Sequence, residues 1–233
     1  MEHQLTSPRN SMKNIIDIYE GILDKDNRQT VGANVEETVK QDILEYIKKY
    51  YLPTKVVILD EKDKDGRYLV NVFNSLYPND GLESITNGKF VFNKVNESCS
   101  FMNAPIKNLD GCPRIVKRCF FVSDCEELES LKGSPESVGE DYHCNYCISL
   151  KSFEGMTQKI GGAIRAAFCT DVESLHGVPK TVKGDFDIHG CCSIKSLYGF
   201  PKTVKGDVCV SSDNFDYYDI DDVCKVGGEI YMC

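Results

Sequence analysis

The stretch "GVPKTVKGDF" (residues 177–186) is followed, 22 positions on, by "GFPKTVKGDV" (residues 199–208). A copied functional loop would stop there, but the likeness extends in both directions. Gly111, Gly133, Gly155, Gly177 and Gly199 keep a strict interval of 22. Leu109, Leu131, Phe153, Leu175 and Leu197 stand two residues before them. Val116, Val138, Ile160, Val182, Val204 and Val226 make another column. Phe120, Tyr142, Ile164, Phe186, Val208 and Ile230 make a third, with Val122, Cys144, Ala166, Ile188, Val210 and Met232 two residues on. Cys125, Cys147, Cys169 and Cys191 make a fourth. Columns of this kind mark a solenoid, because each coil touches only its neighbours and must match them.

The unit reads as in "FDIHGCCSIKSLYGFPKTVKG", beginning at Phe186. A short strand there points Phe186 and Ile188 inward and Asp187 outward. Gly and Pro on the way back argue against a long helix and for turns or extended segments. The stretch "LESITNG" at Leu82 echoes "LESLKG" at Leu128, so about seven coils are expected over 82–233. The apolar pair and the cysteine resemble the leucine-rich repeat signature, L-x-L-x-x-N/C-x-L. That resemblance implies a leucine-rich-repeat solenoid with a parallel β-sheet and little helix on the return side.

Ahead of the coils, 12–81 is expected to form two helices and a β-hairpin that cap the solenoid, after a polar extension over 1–11. "SMKNIIDIYEGIL" sets Ile15, Ile18, Tyr19 and Ile22 on one face, with Ser11 as a helix cap. "NVEETVKQDILEYIKKYY" begins with Asn34 as cap, carries Val39, Ile43, Tyr46, Ile47 and Tyr50 as its apolar stripe, and stops at Pro53. "KVVILD" and "RYLVNVF" read as strands around "EKDKDG". That turn is no calcium loop, since Val72 stands where the bidentate glutamate would.

A net charge of −9 argues against non-specific binding of nucleic acid or an anionic membrane. No run of residues is long and apolar enough to span a bilayer. The twelve cysteines invite a metal, but Cys144, Cys147, Cys191 and Cys192 fall on repeat columns without converging ligands, so structural thiols and no metal or other cofactor are expected. His3, His143, His176 and His189 have no nucleophile paired to them by motif, and no catalytic residue is assigned. Lys107, Glu129, Lys151, Glu173 and Lys195 alternate in sign at the repeat interval, which favours the in-register stack.

Core columns repeat because stacking demands it. The outward strand column, with Phe121, His143, Arg165, Asp187 and Tyr231, does not, and Tyr146 and Phe168 lie beside it at the strand ends. Aromatic residues and Arg are enriched at binding hot spots, so these seven are the candidate partner-binding residues. The layout as a whole resembles leucine-rich repeat proteins encoded by bacteriophages. This implies a non-enzymatic, protein-binding module, monomeric when free, that meets a host protein such as a defence factor in the host cytoplasm. A structural part of the virion is the alternative. A glycan-binding module using Tyr146, Phe168 and Tyr231 is a weaker one.

Overall fold

A computed structural model describes residues 31–79, 82, 84–212 and 215–233. The helix expected around Ile15–Ile22, its Ser11 cap and the extension over 1–11 lie outside the described residues. The chain divides into two units, 1–41 and 42–233. Helix α1 (Val31–Tyr50) begins in the first and ends in the second. It starts three residues ahead of the expected Asn34 cap and stops three short of Pro53.

Within the second unit the end of α1 buries Ile43 and Ile47, and Tyr51, the residue after it, is buried with them. Tyr51 meets Phe92 and Phe101 edge-on, with ring centroids 5.3 and 6.5 Å away. Its hydroxyl donates to the Ile85 carbonyl at 2.6 Å, which satisfies the polar end of a buried ring. The hairpin forms as expected from β1 (Val56–Lys62) and β2 (Tyr68–Val72), paired antiparallel. Its turn is organised by Asp63, whose carboxylate accepts from the Asp65 and Arg67 amides at 3.0 and 2.9 Å and from the Arg67 guanidinium. Burial opposes ionisation there, but the hydrogen bonds from Arg67 outweigh it and hold the Asp63 carboxyl below its usual range.

β2 pairs in parallel with β3 (Phe90–Val95), and from there the chain coils. One side of the coils is a seven-stranded parallel sheet: β4 (Cys99–Ser100), β6 (Phe120–Phe121), β8 (Tyr142–His143), β9 (Ile164–Arg165), β11 (Phe186–Asp187), β13 (Val208–Val210) and β15 (Ile230–Met232). Each strand pairs with the next coil in register, Phe186 against Ile164 and Val208, as the repeat requires. Phe186 and Ile188 are buried and Asp187 half-buried, which is the inward–outward alternation expected.

The return side is more ordered than turns alone. The valine column forms its own parallel ladders. β5 (Ile115–Val116) and β7 (Ser137–Val138) extend the hairpin sheet, while β10 (Thr181–Val182), β12 (Thr203–Val204) and β14 (Lys225–Val226) form another. A parallel bridge joins Val138 to Ile160. The third side, carrying Leu-x-Ser-Leu, is extended and bridged once, Ser152 to Ser174. This is a parallel β-solenoid of about seven turns and little helix.

The polar columns have local jobs. Ser130, Ser152, Ser174 and Ser196 each accept the backbone amide two residues on, at 3.1–3.3 Å, and so shape the corner that the glycine column then turns. Asp141, Asp185 and Asp207 accept an amide from the next coil at 2.8, 3.1 and 2.9 Å. Cys125, Cys147, Cys169 and Cys191 donate their thiols to the carbonyls of Phe101, Val122, Cys144 and Ala166 at 3.0–3.1 Å. A buried thiol fills the space of a small apolar side chain and still supplies a donor. Burial pushes the Cys125 thiol up to about 11, so it remains a thiol at neutral pH. Cys147→Ala is expected to cost about 1–2 kcal/mol and Cys147→Ser less, because the hydroxyl still reaches the Val122 carbonyl. Urea midpoints test this, and a larger loss for Ser than for Ala would overturn it.

One local expectation needs correction. The alternating charge column pairs only in part: Lys107 meets Glu129 at 3.9 Å, but Lys151 takes Asp171 at 2.6 Å instead of Glu173. Asp171 brings its carboxylate to the lysine from the neighbouring coil, and both pairs are exposed and weak. In the last coil a short helix, α2 (Tyr217–Val223), replaces the extended third side. Asp216 and Asp219 form its capping box, each accepting the other's amide at 2.9 Å.

Candidate functional site

The outward face of the seven-stranded sheet carries Phe121, His143, Arg165 and Asp187 as half-buried side chains and Tyr231 as an exposed one, in five of its strands. Parallel pairing in register sets the first four about 4.8 Å apart along the stack, while Cys209 stands between Asp187 and Tyr231. Phe121 and His143 use that spacing to stack, with centroids 4.6 Å apart and planes 30° from parallel. Burial, against the opposing pull of Asp141, lowers the His143 pKa, and the ring is neutral at physiological pH. Arg165 turns toward Asp185 at 3.2 Å.

Tyr146 and Phe168 stand at the corner where the strand ends. Their rings stack at 4.8 Å and 12°, and Phe168 meets His189 edge-on at 4.6 Å. Tyr146 is exposed and Phe168 half-buried. The rings explain one another's positions: an aromatic ladder climbs the corner at the pitch of the coils.

The backbone beneath them is unusual. Asn103, Asp124, Tyr146, Phe168 and Gly190 occupy equivalent corners and all have positive φ, from 57° to 73°. Asn, Asp and Gly are the types that this conformation favours. Tyr and Phe are not, and each gives up roughly 1–2 kcal/mol by standing there. One stacked pair returns about 0.5–1.5 kcal/mol, less than the strain of the two together. A side chain on Gly190 would strike the Phe168 ring, 2.4 Å from where its Cβ would lie. The ladder is therefore built at the expense of local backbone preference.

Past the ladder, Asp187, His189 and Cys209 converge. His189 Nδ1 lies 2.6 Å from Asp187 Oδ1, and the Cys233 sulfur lies 2.7 Å from that of Cys209. Burial first, then the Cys233 thiol and the Asp187 carboxylate, push the Cys209 thiol up to about 12. A thiol so disposed is a poor nucleophile at neutral pH. His176 is exposed and lies in another corner. His3 lies outside the described residues.

The structure thus places the candidate residues in two neighbouring groups, the sheet face (Phe121, His143, Arg165, Asp187, Tyr231) and the corner ladder (Tyr146, Phe168). It joins His189 to the second, a contact that column counting overlooked. His189 follows Asp187 by two, and Phe168 precedes the corner Gly190 by one coil, so the repeat register alone contained this contact. No protein-family model, curated protein or solved structure matches the chain. No helix among the described residues is long and apolar enough to cross a membrane.

Proposed function

We propose that this chain is a non-enzymatic protein-binding solenoid that engages its partner through the outward sheet face and the Tyr146–Phe168 corner. The observation that carries the reading is the pair of large aromatic residues held at positive φ, where equivalent corners use Asn, Asp or Gly. Strain retained in an exposed group is expected where the group has a task beyond folding. Tyr146, Phe168 and Arg165 are the residue types that anchor interfaces, and they lie within neighbouring coils. The stack covers one face of each ring and His189 meets Phe168 edge-on, which leaves a sugar less open ring face than two separate aromatic platforms would, so a protein partner is preferred to a glycan.

The sequence resemblance extends this reading. The coils are taken as a variety of leucine-rich repeat, the helix and hairpin as the cap of its first coil, and the protein as bacteriophage-encoded. The partner is then a host protein met in the host cytoplasm. Affinity capture from infected cells, run in parallel on purified particles, separates a host partner from a virion one. Tyr146→Ala and Phe168→Ala should each cost about 2 kcal/mol or more in affinity for the captured protein. Tyr146→Asn should lose binding equally while changing stability by less than about 1 kcal/mol, since relief of strain offsets the lost stack. Lys107→Ala and Glu129→Ala, away from this face, should bind normally. Loss of binding in those two, with the corner variants intact, would move function to another surface.

A further inference from the structure

We infer that the C-terminal coils hold a divalent transition-metal site, of the zinc type, ligated by Asp187, His189 and Cys209, with Cys233, which lies beside Cys209 but outside that cluster, turning in as the fourth ligand. One ligand atom from each of the first three lies within 4.8 Å of the other two. Around tetrahedral zinc, bonds of about 2.0–2.3 Å bring such atoms to roughly 3.5 Å from one another, so small side-chain rotations close the site. A carboxylate oxygen, an imidazole nitrogen and a thiolate sulfur together suit zinc better than magnesium or calcium, which take oxygen donors alone.

The register of the fold builds the arrangement. Asp187 and Cys209 are direct partners on adjacent parallel strands, His189 follows Asp187 by two residues, and Cys233 follows the third strand. Sheet pairing therefore sets Asp187 and Cys209 side by side before any ion arrives. All four are accessible: Asp187, His189 and Cys209 are half-buried and Cys233 is exposed. A dication would be drawn to the Asp187 carboxylate and would favour the thiolate form of the two cysteines. On binding, the cysteine thiols give up their protons to solvent and ligate as thiolates. The site does not depend on the partner-binding reading, since it lies in the chain itself.

The test uses the full chain purified and kept under a phosphine reductant, then dialysed against zinc or cobalt. About one zinc per chain by elemental analysis is expected. Cobalt should give the visible bands of a tetrahedral centre and a sulfur-to-cobalt charge-transfer band in the near ultraviolet. Cys209→Ser should abolish the charge-transfer band or weaken it sharply. His189→Gln should lower affinity at least about 10-fold, the effect that even loss of a group supporting a ligand produces. Far-UV circular dichroism identifies any variant that has not folded, and Cys233→Ser, at the exposed end of the chain, gives a further reading of the same site. Cys192→Ser, exposed and outside the cluster, should bind as the parent does. The proposal is overturned if the reduced parent takes up no metal, or if the folded ligand variants bind it unchanged. It is equally overturned if Cys209 and Cys233 resist reduction as a disulfide.

Discussion

Gly177→Ala is expected to destabilise the protein by about 3 kcal/mol or more, and far beyond what the same substitution does at Gly66. Gly177 has φ +100°, and a Cβ there would lie 2.0 Å from the Phe153 carbonyl oxygen of the preceding coil. Two penalties therefore add: a backbone conformation that residues with a side chain avoid, and an overlap with main chain that cannot swing away. Relief would require the two coils to separate along their whole shared corner, against the backbone pairing that fixes their spacing. Gly66, in the hairpin turn, has φ +79° but nothing within 4 Å of the added atom, so only the first penalty applies, about 1 kcal/mol. Gly199 is intermediate, with φ +93° and the nearest atom, the Leu175 carbonyl oxygen, 2.8 Å away. Denaturant midpoints should show the largest loss at Gly177, a smaller one at Gly199 and the smallest at Gly66. Equal losses at Gly177 and Gly66 would mean that the coils are not packed as tightly as their carbonyl contacts indicate.

The same stacking decides how much of the fold is legible in the sequence. Columns such as Phe120–Tyr142–Ile164–Phe186 were legible because coils that touch only each other must agree residue by residue. The valine ladders were less so: "PKTVKG" offers one inward residue per pass, too few to show the alternation by which a strand is recognised. The cysteine column could be assigned to the core, but its thiol-to-carbonyl bonds belong to the geometry of the turn. Tyr146 and Phe168 could be picked out as exposed aromatic residues. Their positive φ could not, since these are the residue types that argue against it. The Asp187–His189–Cys209 cluster is a different case. No motif spans it, yet Asp187 and Cys209 stand 22 residues apart in one column, so the repeat already placed them side by side. In a solenoid the ligand spacing to search for is the coil length, because that is the distance at which the fold brings side chains together.

Phe153→Ala should cost about 3–5 kcal/mol. The ring is fully buried and takes the place that Leu109, Leu131 and Leu175 hold in other coils, all equally buried. Its removal takes the transfer free energy of a benzyl group and leaves a void between two coils whose backbones are pinned by pairing on the other sides, so collapse around it is restricted. Phe153→Leu restores the residue of the neighbouring coils and should cost only about 1 kcal/mol, set by the small volume left unfilled. Position in the stack adds a second effect. A coil is held only by the coils on either side, and a defect in the middle weakens both interfaces at once. For Phe153→Ala the unfolding transition should therefore broaden, with the coils on the two sides of residue 153 releasing at different denaturant concentrations. Hydrogen exchange read coil by coil would detect this as a step in protection between Tyr142 and Ile164. If the Ala variant instead unfolds in one sharp transition within about 1 kcal/mol of the Leu variant, the interior has more freedom to close than a paired stack permits.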